Sequence, residues 1–130
     1  MMTADSNPFE TSIAPWLAVR DAERALAFYR AAFGAVLEYR LEGEQGDLVV
    51  ARLSIGGARF WIQDDPDAGP LAPGVGSVRM ILSVVDPDTV FDRAVGAGAA
   101  VVAAVHEEHG WRTGRITDPF GHDWEISRQG

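Results

Sequence analysis

The sequence contains no cysteine. This absence excludes disulfide bonds, zinc sites with thiolate ligands and cysteine nucleophiles. It also fits a reducing compartment, and we therefore predict a cytoplasmic protein. At 130 residues, with 47% hydrophobic residues, the chain is large and apolar enough to fold as one domain around its own core.

Basic residues are also scarce, with 11 Lys and Arg against 19 Asp and Glu and a formal net charge of −8. A nucleic-acid partner normally requires a basic face, so we predict none. An acidic surface instead favours solubility or a cationic ligand. No apolar run approaches the ~20 residues that span a bilayer, and we predict no membrane partner. Residues 1–12 are polar, do not resemble a signal peptide, and are predicted to form a flexible N-terminal arm.

An internal repeat occupies the rest of the chain. A short apolar run ends in Asp21 in the first half and in Asp86 in the second, 65 positions later. A segment with helical spacing of apolar residues follows each aspartate, over Ala22 to Phe33 and again from Pro87. Both aspartates are suited to cap the helix that follows them, and a glycine stands where each helix is predicted to end.

Three strand candidates follow each helix. In the first of them Leu37, Tyr39 and Leu41 alternate with charged residues and are predicted to share one face. The stretch Pro66 to Gly76 holds three prolines and three glycines and is predicted to be a linker. The sequence thus predicts a single α+β domain with two βαβββ modules, module one over 13–65, a linker over 66–76 and module two over 77–128. The strand candidates are residues 35–41, 48–55, 58–63, 100–105, 111–117 and 123–127.

Two phrases of the sequence carry a family resemblance. Leu17-Ala-Val-Arg-Asp21, leading into Ala27-Phe-Tyr-Arg30, resembles the opening of the vicinal oxygen chelate superfamily of glyoxalases, bleomycin-resistance proteins and extradiol dioxygenases. Thr117-Asp-Pro-Phe-Gly-His-Asp-Trp-Glu125 is similar to its closing signature. Together they most resemble the short bacterial members called glyoxalase-like or PhnB-like. The resemblance covers residues 13–127 and implies a curved mixed sheet around a small-molecule cleft, and a homodimer.

The same resemblance implies a metal site whose ligands lie on the first and last strand of each module. The matching positions in this sequence are Ala14, Trp61, Arg79 and Glu125. Alanine has no donor atom, an indole does not bind such metals, and a guanidinium is a permanent cation. Glutamate is thus the only one of the four side chains that is able to bind a metal. We therefore predict that the protein has neither a metal site nor another cofactor.

The three histidines do not restore that site. His106 and His109 are three positions apart, whereas the two histidines of a zinc-protease helix are four apart. His122 lies in the turn before the last strand, and we predict that it orders this turn through hydrogen bonds.

Strand alternation defines the rest of the predicted cleft. Trp16 and Trp61 would form its flat walls, and the alternative for both is packing in the core. Arg79 and Glu125 would supply its charges and are predicted to form an ion pair. Positions of the opposite parity are apolar throughout, which supports this register. Trp111 begins a strand, where it would cover the cleft mouth or a subunit interface. The predicted ligand-binding residues are Trp16, Trp61, Gln63, Arg79, Trp111 and Glu125.

Two functions fit this cleft. The first is a metal-independent binding protein of the glyoxalase/bleomycin-resistance type that sequesters a drug or natural product and so gives antibiotic resistance. Planar aromatic or cationic ligands would suit stacked indoles in an acidic protein. The second is a glyoxalase-like lyase or isomerase that uses Glu125 as its catalytic general base. No Gly-x-Ser-x-Gly nucleophile motif and no phosphate-binding glycine loop is present.

Overall fold

The structure is a computed structural model that describes residues 10–69 and 78–130. Most of the predicted N-terminal arm and most of the predicted linker therefore lie outside the described residues. Within the described part, no helix has both the length and the apolar character needed to cross a membrane.

Both halves follow the predicted βαβββ order. Module one contains β1 (Trp16–Val19), α1 (Ala22–Phe33), β2 (Val36–Glu42), β3 (Leu48–Ile55) and β4 (Ala58–Asp64). Module two contains β5 (Arg79–Ser83), α2 (Pro87–Gly96), β6 (Ala100–Glu108), β7 (Trp111–Thr117) and β8 (Asp123–Gln129).

The helices begin where the sequence predicts, at an aspartate. The Asp21 carboxylate accepts a hydrogen bond of 3.1 Å from the Arg24 backbone N–H, and Asp86 accepts one of 3.3 Å from the Thr89 backbone N–H. Both contacts satisfy an N–H group that a helix would otherwise leave unpaired. Helix α1 ends at Gly34, whose φ of 68° lies in the left-handed region that glycine adopts without a side-chain clash.

Each module forms its own four-stranded mixed sheet, in the orders β1-β4-β3-β2 and β5-β8-β7-β6. The first and last strands of each module pair in parallel, with Trp16 opposite Trp61 and Ile81 opposite Glu125. Trp16 and Ile81 are themselves 65 positions apart, like the two capping aspartates. Residues of the first strands that lie 65 positions apart in the sequence therefore occupy equivalent places in the two sheets.

Strand β2 departs from the predicted alternation. A register shift against β3 falls between Leu37 and Tyr39. As a result Leu37 packs against the core, whereas Tyr39 and Leu41 are both exposed. The prediction that these three residues share one face is wrong, because a β-bulge adds a residue without leaving a mark in the alternation pattern.

The two modules share one hydrophobic core. The inner face of each sheet lies against the helices, and the two inner faces also touch directly, since the rings of Phe60 on β4 and Trp124 on β8 are 5.7 Å apart. Neighbouring residues of a strand point to opposite faces. Trp61 and Glu125, each next to one of these rings, therefore point away from the core on two different sheets.

The turn before β8 joins the modules. The buried Asp118 carboxylate accepts hydrogen bonds from the Tyr29 hydroxyl of α1 at 2.5 Å and from Trp124 Nε1 at 2.9 Å. The backbone N–H groups of Phe120 and His122 donate to it as well. Burial, and next the negative charge of Asp118, raise the pKa of Tyr29 well above its ordinary value. Much of the closing signature thus has a structural role.

Candidate functional site

The outward side of the first sheet carries an aromatic face, formed by Trp16, Trp61 and Tyr39. The two indoles stack with ring centroids 5.9 Å apart and planes inclined by 27°, and Tyr39 meets Trp61 edge-on at 6.0 Å. Trp16 Nε1 donates to Gln63 Oε1 at 2.9 Å, and this hydrogen bond holds the indole in its stacked position. Trp16 is 53% exposed, so this face offers a planar stacking surface to a ligand.

The cations on the aromatic face already have partners. The Arg52 guanidinium lies 5.6 Å from the centroid of Trp61, and its Nε is 3.2 Å from Glu38 Oε1. Arg59 Nε lies 2.9 Å from the same carboxylate oxygen. A hydrogen bond from Ser54, followed by the charges of Arg59 and Arg52, lowers the pKa of Glu38 below its ordinary value. The two cations of this face therefore share one carboxylate, which neutralises half of their charge.

The outward side of the second sheet carries a charged face, formed by Arg79, Glu125 and Arg115. Arg79 Nε is 3.2 Å from Glu125 Oε1, so the predicted ion pair is present. The Thr113 hydroxyl donates to the other oxygen of Glu125 at 3.0 Å. Arg115 stands directly opposite Glu125 in the strand pairing, and cross-strand partners project to the same side of a sheet.

A cavity of about 680 Å³ lies between the edge strands β1 and β5. Its wall is mostly apolar, with three polar side chains, Arg59, Arg79 and His122. Trp16 of the aromatic face and Arg79 of the charged face both contribute to this wall, so the cavity connects the two faces at their edges. A volume of this size accommodates a small organic ligand.

His122 holds the two modules together beside this cavity. Its Nε2 lies 2.8 Å from the Ala18 carbonyl oxygen of β1. A carbonyl only accepts hydrogen bonds, so Nε2 carries the hydrogen and donates it. This contact agrees with the predicted role of His122 in ordering its turn, and it extends that role to the contact between modules.

The structure brings the predicted site residues together in two groups. Trp16, Trp61 and Gln63 are neighbours on the aromatic face, and Arg79 and Glu125 are neighbours on the charged face. Trp111 belongs to neither group, because it lies at the start of β7 and lines a separate surface pocket. Sequence reasoning missed three residues, and the strand pairing is the signal that finds them: Tyr39, Arg52 and Arg115.

The residues at the superfamily's metal positions do not fit a metal ion. Ala14 has no donor atom, Trp61 is part of the aromatic stack, and Arg79 is a cation paired with Glu125. Both carboxylate oxygens of Glu125 are engaged, by Arg79 and by Thr113. Across residues 10–69 and 78–130 there is no group of three or more His, Cys, Asp or Glu side chains that could hold a metal.

Two βαβββ modules in matching register around one core define a protein with the vicinal oxygen chelate fold. The chain belongs to the glyoxalase-like domain family, whose sequence profile matches residues 16–127. It is also similar to an uncharacterised protein of Mycobacterium bovis, at 38% identity over 127 residues, which cover 92% of this chain and 84% of that protein.

Solved structures show the same fold. TioX from Micromonospora sp. ML1 matches with a TM-score of 0.71 at 27% identity, over 92% of this chain and 97% of TioX. FosX, the genomically encoded fosfomycin resistance protein of Listeria monocytogenes, matches with a TM-score of 0.72 at 16% identity, over 94% of this chain and 95% of FosX. At that identity the likeness to FosX concerns the fold alone.

Proposed function

We propose that this protein binds a small organic molecule with a planar aromatic part and does so without a metal ion. The observation that carries the proposal is the cavity of about 680 Å³ between β1 and β5, bordered by an indole and a guanidinium. An apolar wall with a few convergent polar groups is the usual composition of a ligand pocket. The stacked pair Trp16–Trp61 continues this wall onto the outward side of the first sheet.

The geometry favours binding over the alternative of a lyase or isomerase. A general base needs a free lone pair within hydrogen-bond reach of the substrate. Glu125 does not line the cavity, and its two oxygens already contact Arg79 Nε, at 3.2 Å in an ion pair, and the Thr113 hydroxyl, which donates at 3.0 Å. Glu125 therefore acts as a fixed partner for Arg79 rather than as a base.

We also propose that two copies assemble. The aromatic face and the charged face point away from the core on different sheets, so one chain leaves both open to solvent. The edge strands β1 and β5 and the residues beside them expose large apolar side chains, which is unusual for a surface that stays free. These include Ile13, 98% exposed, Val78, 71% exposed, and Ile81, 61% exposed. All three also line the cavity, so a second copy that covers these edges would cover the mouth of the cavity and bring an aromatic face towards a charged face.

Drugs and natural products are the first ligands to screen, because sequestration is the biological role that this site supports best. FosX, a neighbour in fold, is named as a fosfomycin resistance protein, which makes antibiotics a sensible part of the panel. A panel of neutral, anionic and cationic aromatic compounds, followed by the quenching of tryptophan fluorescence, tests the proposal directly.

Trp16→Ala and Trp111→Leu form a matched pair for this screen. Trp16 lines the cavity, whereas Trp111 lines a different pocket. We expect Trp16→Ala to weaken the binding of a hit by about tenfold, because base-sized aromatic stacking contributes ~1–3 kcal/mol, and Trp111→Leu to leave it unchanged. Equal affinity of both variants for every hit, or no hit at all, would overturn the proposal. Light scattering that shows a monomer at micromolar concentration would overturn the assembly of two copies.

A further inference from the structure

The arginines of the described residues differ in how their charge is compensated. Four of them are half-buried: Arg40, Arg52, Arg112 and Arg115. The first three form ion pairs of 2.8, 3.2 and 2.6 Å with Glu23, Glu38 and Asp88. Arg115 forms no ion pair and no hydrogen bond with any described residue. Its Nε is buried without a hydrogen-bond partner; the Nε of Arg52 also lacks a hydrogen bond but lies 3.2 Å from Glu38 Oε1 as an ion pair. A half-buried guanidinium without a partner is costly, so this position calls for an anion.

Two carboxylates share the face of Arg115, and neither pairs with it. Asp123, one row away, accepts from the Thr117 hydroxyl with one oxygen and leaves the other unpaired. Glu125 faces Arg115 across the strand pair, but its two oxygens are held by Arg79 and Thr113. Glu125 therefore compensates the charge of Arg79 and not that of Arg115. Arg115 keeps its five N–H donors, in a planar fork suited to an oxyanion.

A second orphaned group lies one row further along the same face. Ser127 has no exposed surface, and its hydroxyl has no hydrogen-bond partner within the described residues. It pairs with Thr113 across the strands, next to the Arg115–Glu125 pair, and residues two apart on a strand share a face. A buried hydroxyl is normally satisfied, so an unsatisfied one beside an unpaired guanidinium marks a place for an acceptor.

We infer that Arg115 and Ser127 form an oxyanion subsite, and that the ligand of the proposed function therefore carries an acidic group, a carboxylate, phosphate or sulfonate. Neither residue lines the cavity, so the acid would lie beyond its wall on the charged face. The inference rests on the proposed function for the rest of the ligand, because the subsite itself recognises only the acid. Arg115 would donate two parallel hydrogen bonds to two oxygens of the acid, and the Ser127 hydroxyl would donate a third.

Arg52 supplies a matched control for Arg115. It stands opposite Trp61 on β3, as Arg115 stands opposite Glu125 on β7, so the two arginines occupy equivalent places in the two modules. Arg52, however, has Glu38 as an ionic partner and Trp61 as an aromatic one. Arg52→Met therefore removes an arginine from the equivalent strand position, but one whose charge already has a partner.

The test compares 2-naphthoate with 2-naphthylmethanol, which share the aromatic part and differ in the acid, by calorimetric titration. We expect the wild type to bind the acid at least about tenfold more tightly, since a hydrogen bond to a charged group contributes more than one to a neutral group. Arg115→Met should abolish this preference, Ser127→Ala should reduce it, and Arg52→Met should retain it. A preference that survives Arg115→Met, or equal affinities in the wild type, overturns the inference and leaves the proposed function standing.

A second measurement separates the two ideas when neither naphthalene compound binds. Sodium sulfate raises the melting temperature of most proteins through exclusion from their surface. The measured quantity is therefore the rise over sodium chloride of equal ionic strength in the wild type minus that in Arg115→Met, and this quantity should be positive. That result supports the subsite although the proposed function fails. A difference of zero or below overturns the subsite. Loss of the dimer in Arg115→Met at unchanged folding would also overturn it, because Arg115 would then pair with an acidic group of the second copy.

Discussion

The outward faces of the two sheets differ although their backbones match. Trp16, Trp61 and Arg52 on the first sheet occupy the places of Ile81, Glu125 and Arg115 on the second. The first set is an aromatic surface whose arginine has an ionic partner, Glu38, and the second combines one ion pair with one unpaired cation. The inner faces differ much less, since both are apolar and buried. The repeat therefore preserves what the shared core needs and leaves the outward positions free to specialise.

The largest loss of stability from a single substitution is expected in the core that the two modules share. Asp118→Ala should destabilise the protein by about 3 to 5 kcal/mol, because it leaves the buried Tyr29 hydroxyl and the Trp124 indole N–H without their acceptor. The unfolding free energy in urea measures this loss, and Asp92→Ala on the exposed side of α2 serves as the control. Tyr29 and Asp118 belong to different modules and are hydrogen-bonded to each other, so the two modules should unfold together in a single transition. Separate transitions would show that the modules are independent.

Alkaline pH should weaken the hydrogen bond between Tyr29 and Asp118, with a smaller loss of stability than Asp118→Ala. The pKa of Tyr29 in the folded protein lies well above the ordinary value of 10.0, which also applies to the unfolded chain. The folded state thus holds this proton more tightly, so the stabilisation is complete below pH 10 and is lost as the pH rises through the folded pKa. The sequence has no lysine and two tyrosines, so few other groups titrate in this range. Urea midpoints between pH 8 and 11.5 should fall, and the fall should be shallower in Tyr29→Phe. An identical slope in both proteins would contradict this assignment.

The ion pair of the charged face should contribute less. Arg79 and Glu125 side chains are 43% and 19% exposed, so solvent screens the pair, and we expect a coupling of about 1 kcal/mol rather than the value for a fully buried pair. A double-mutant cycle with Arg79→Met and Glu125→Gln, followed by urea unfolding, measures this coupling. Zero coupling would mean that the two side chains act separately, whereas a coupling above 3 kcal/mol would mean that the site is dry.

Much of this architecture could be predicted from the sequence because it depends on short-range signals. Capping aspartates, a glycine in the left-handed region at the end of α1 and apolar alternation defined both helices and the inner faces. The closing motif and the capping aspartate placed Glu125 and Arg79 on the same face of the last and first strands of module two, and so predicted their ion pair. The cytoplasmic location and the absence of a nucleic-acid partner stay predictions.

The parts that escaped prediction depend on long-range pairing. Tyr39 reached the aromatic face through a bulge that alternation does not reveal. Arg115 becomes informative only when β7 is aligned with β8 and Glu125 proves to be engaged elsewhere. Trp111 was predicted to cover the cleft mouth or a subunit interface because it begins a strand, whereas the fold positions it beside another pocket. The pairing register of the strands decides which side chains meet across them, and this register cannot be read from a single sequence.

The smallest expected effect gives the sharpest comparison of the two faces. Arg52→Met removes an ionic contact with Glu38 and a cation–π contact with Trp61, and should destabilise the protein by about 0.5 to 1.5 kcal/mol. Arg115→Met removes a cation that has no partner among the described residues, and methionine fills a similar volume at a half-buried position. Because the unpaired cation is itself costly, the variant should be as stable as the wild type or up to about 0.5 kcal/mol more stable. Thermal unfolding of both variants in low-sulfate buffer measures the difference. If Arg115→Met were the more damaging of the two, its guanidinium would have a structural partner, and the contrast between a paired and an unpaired arginine would fail at this position.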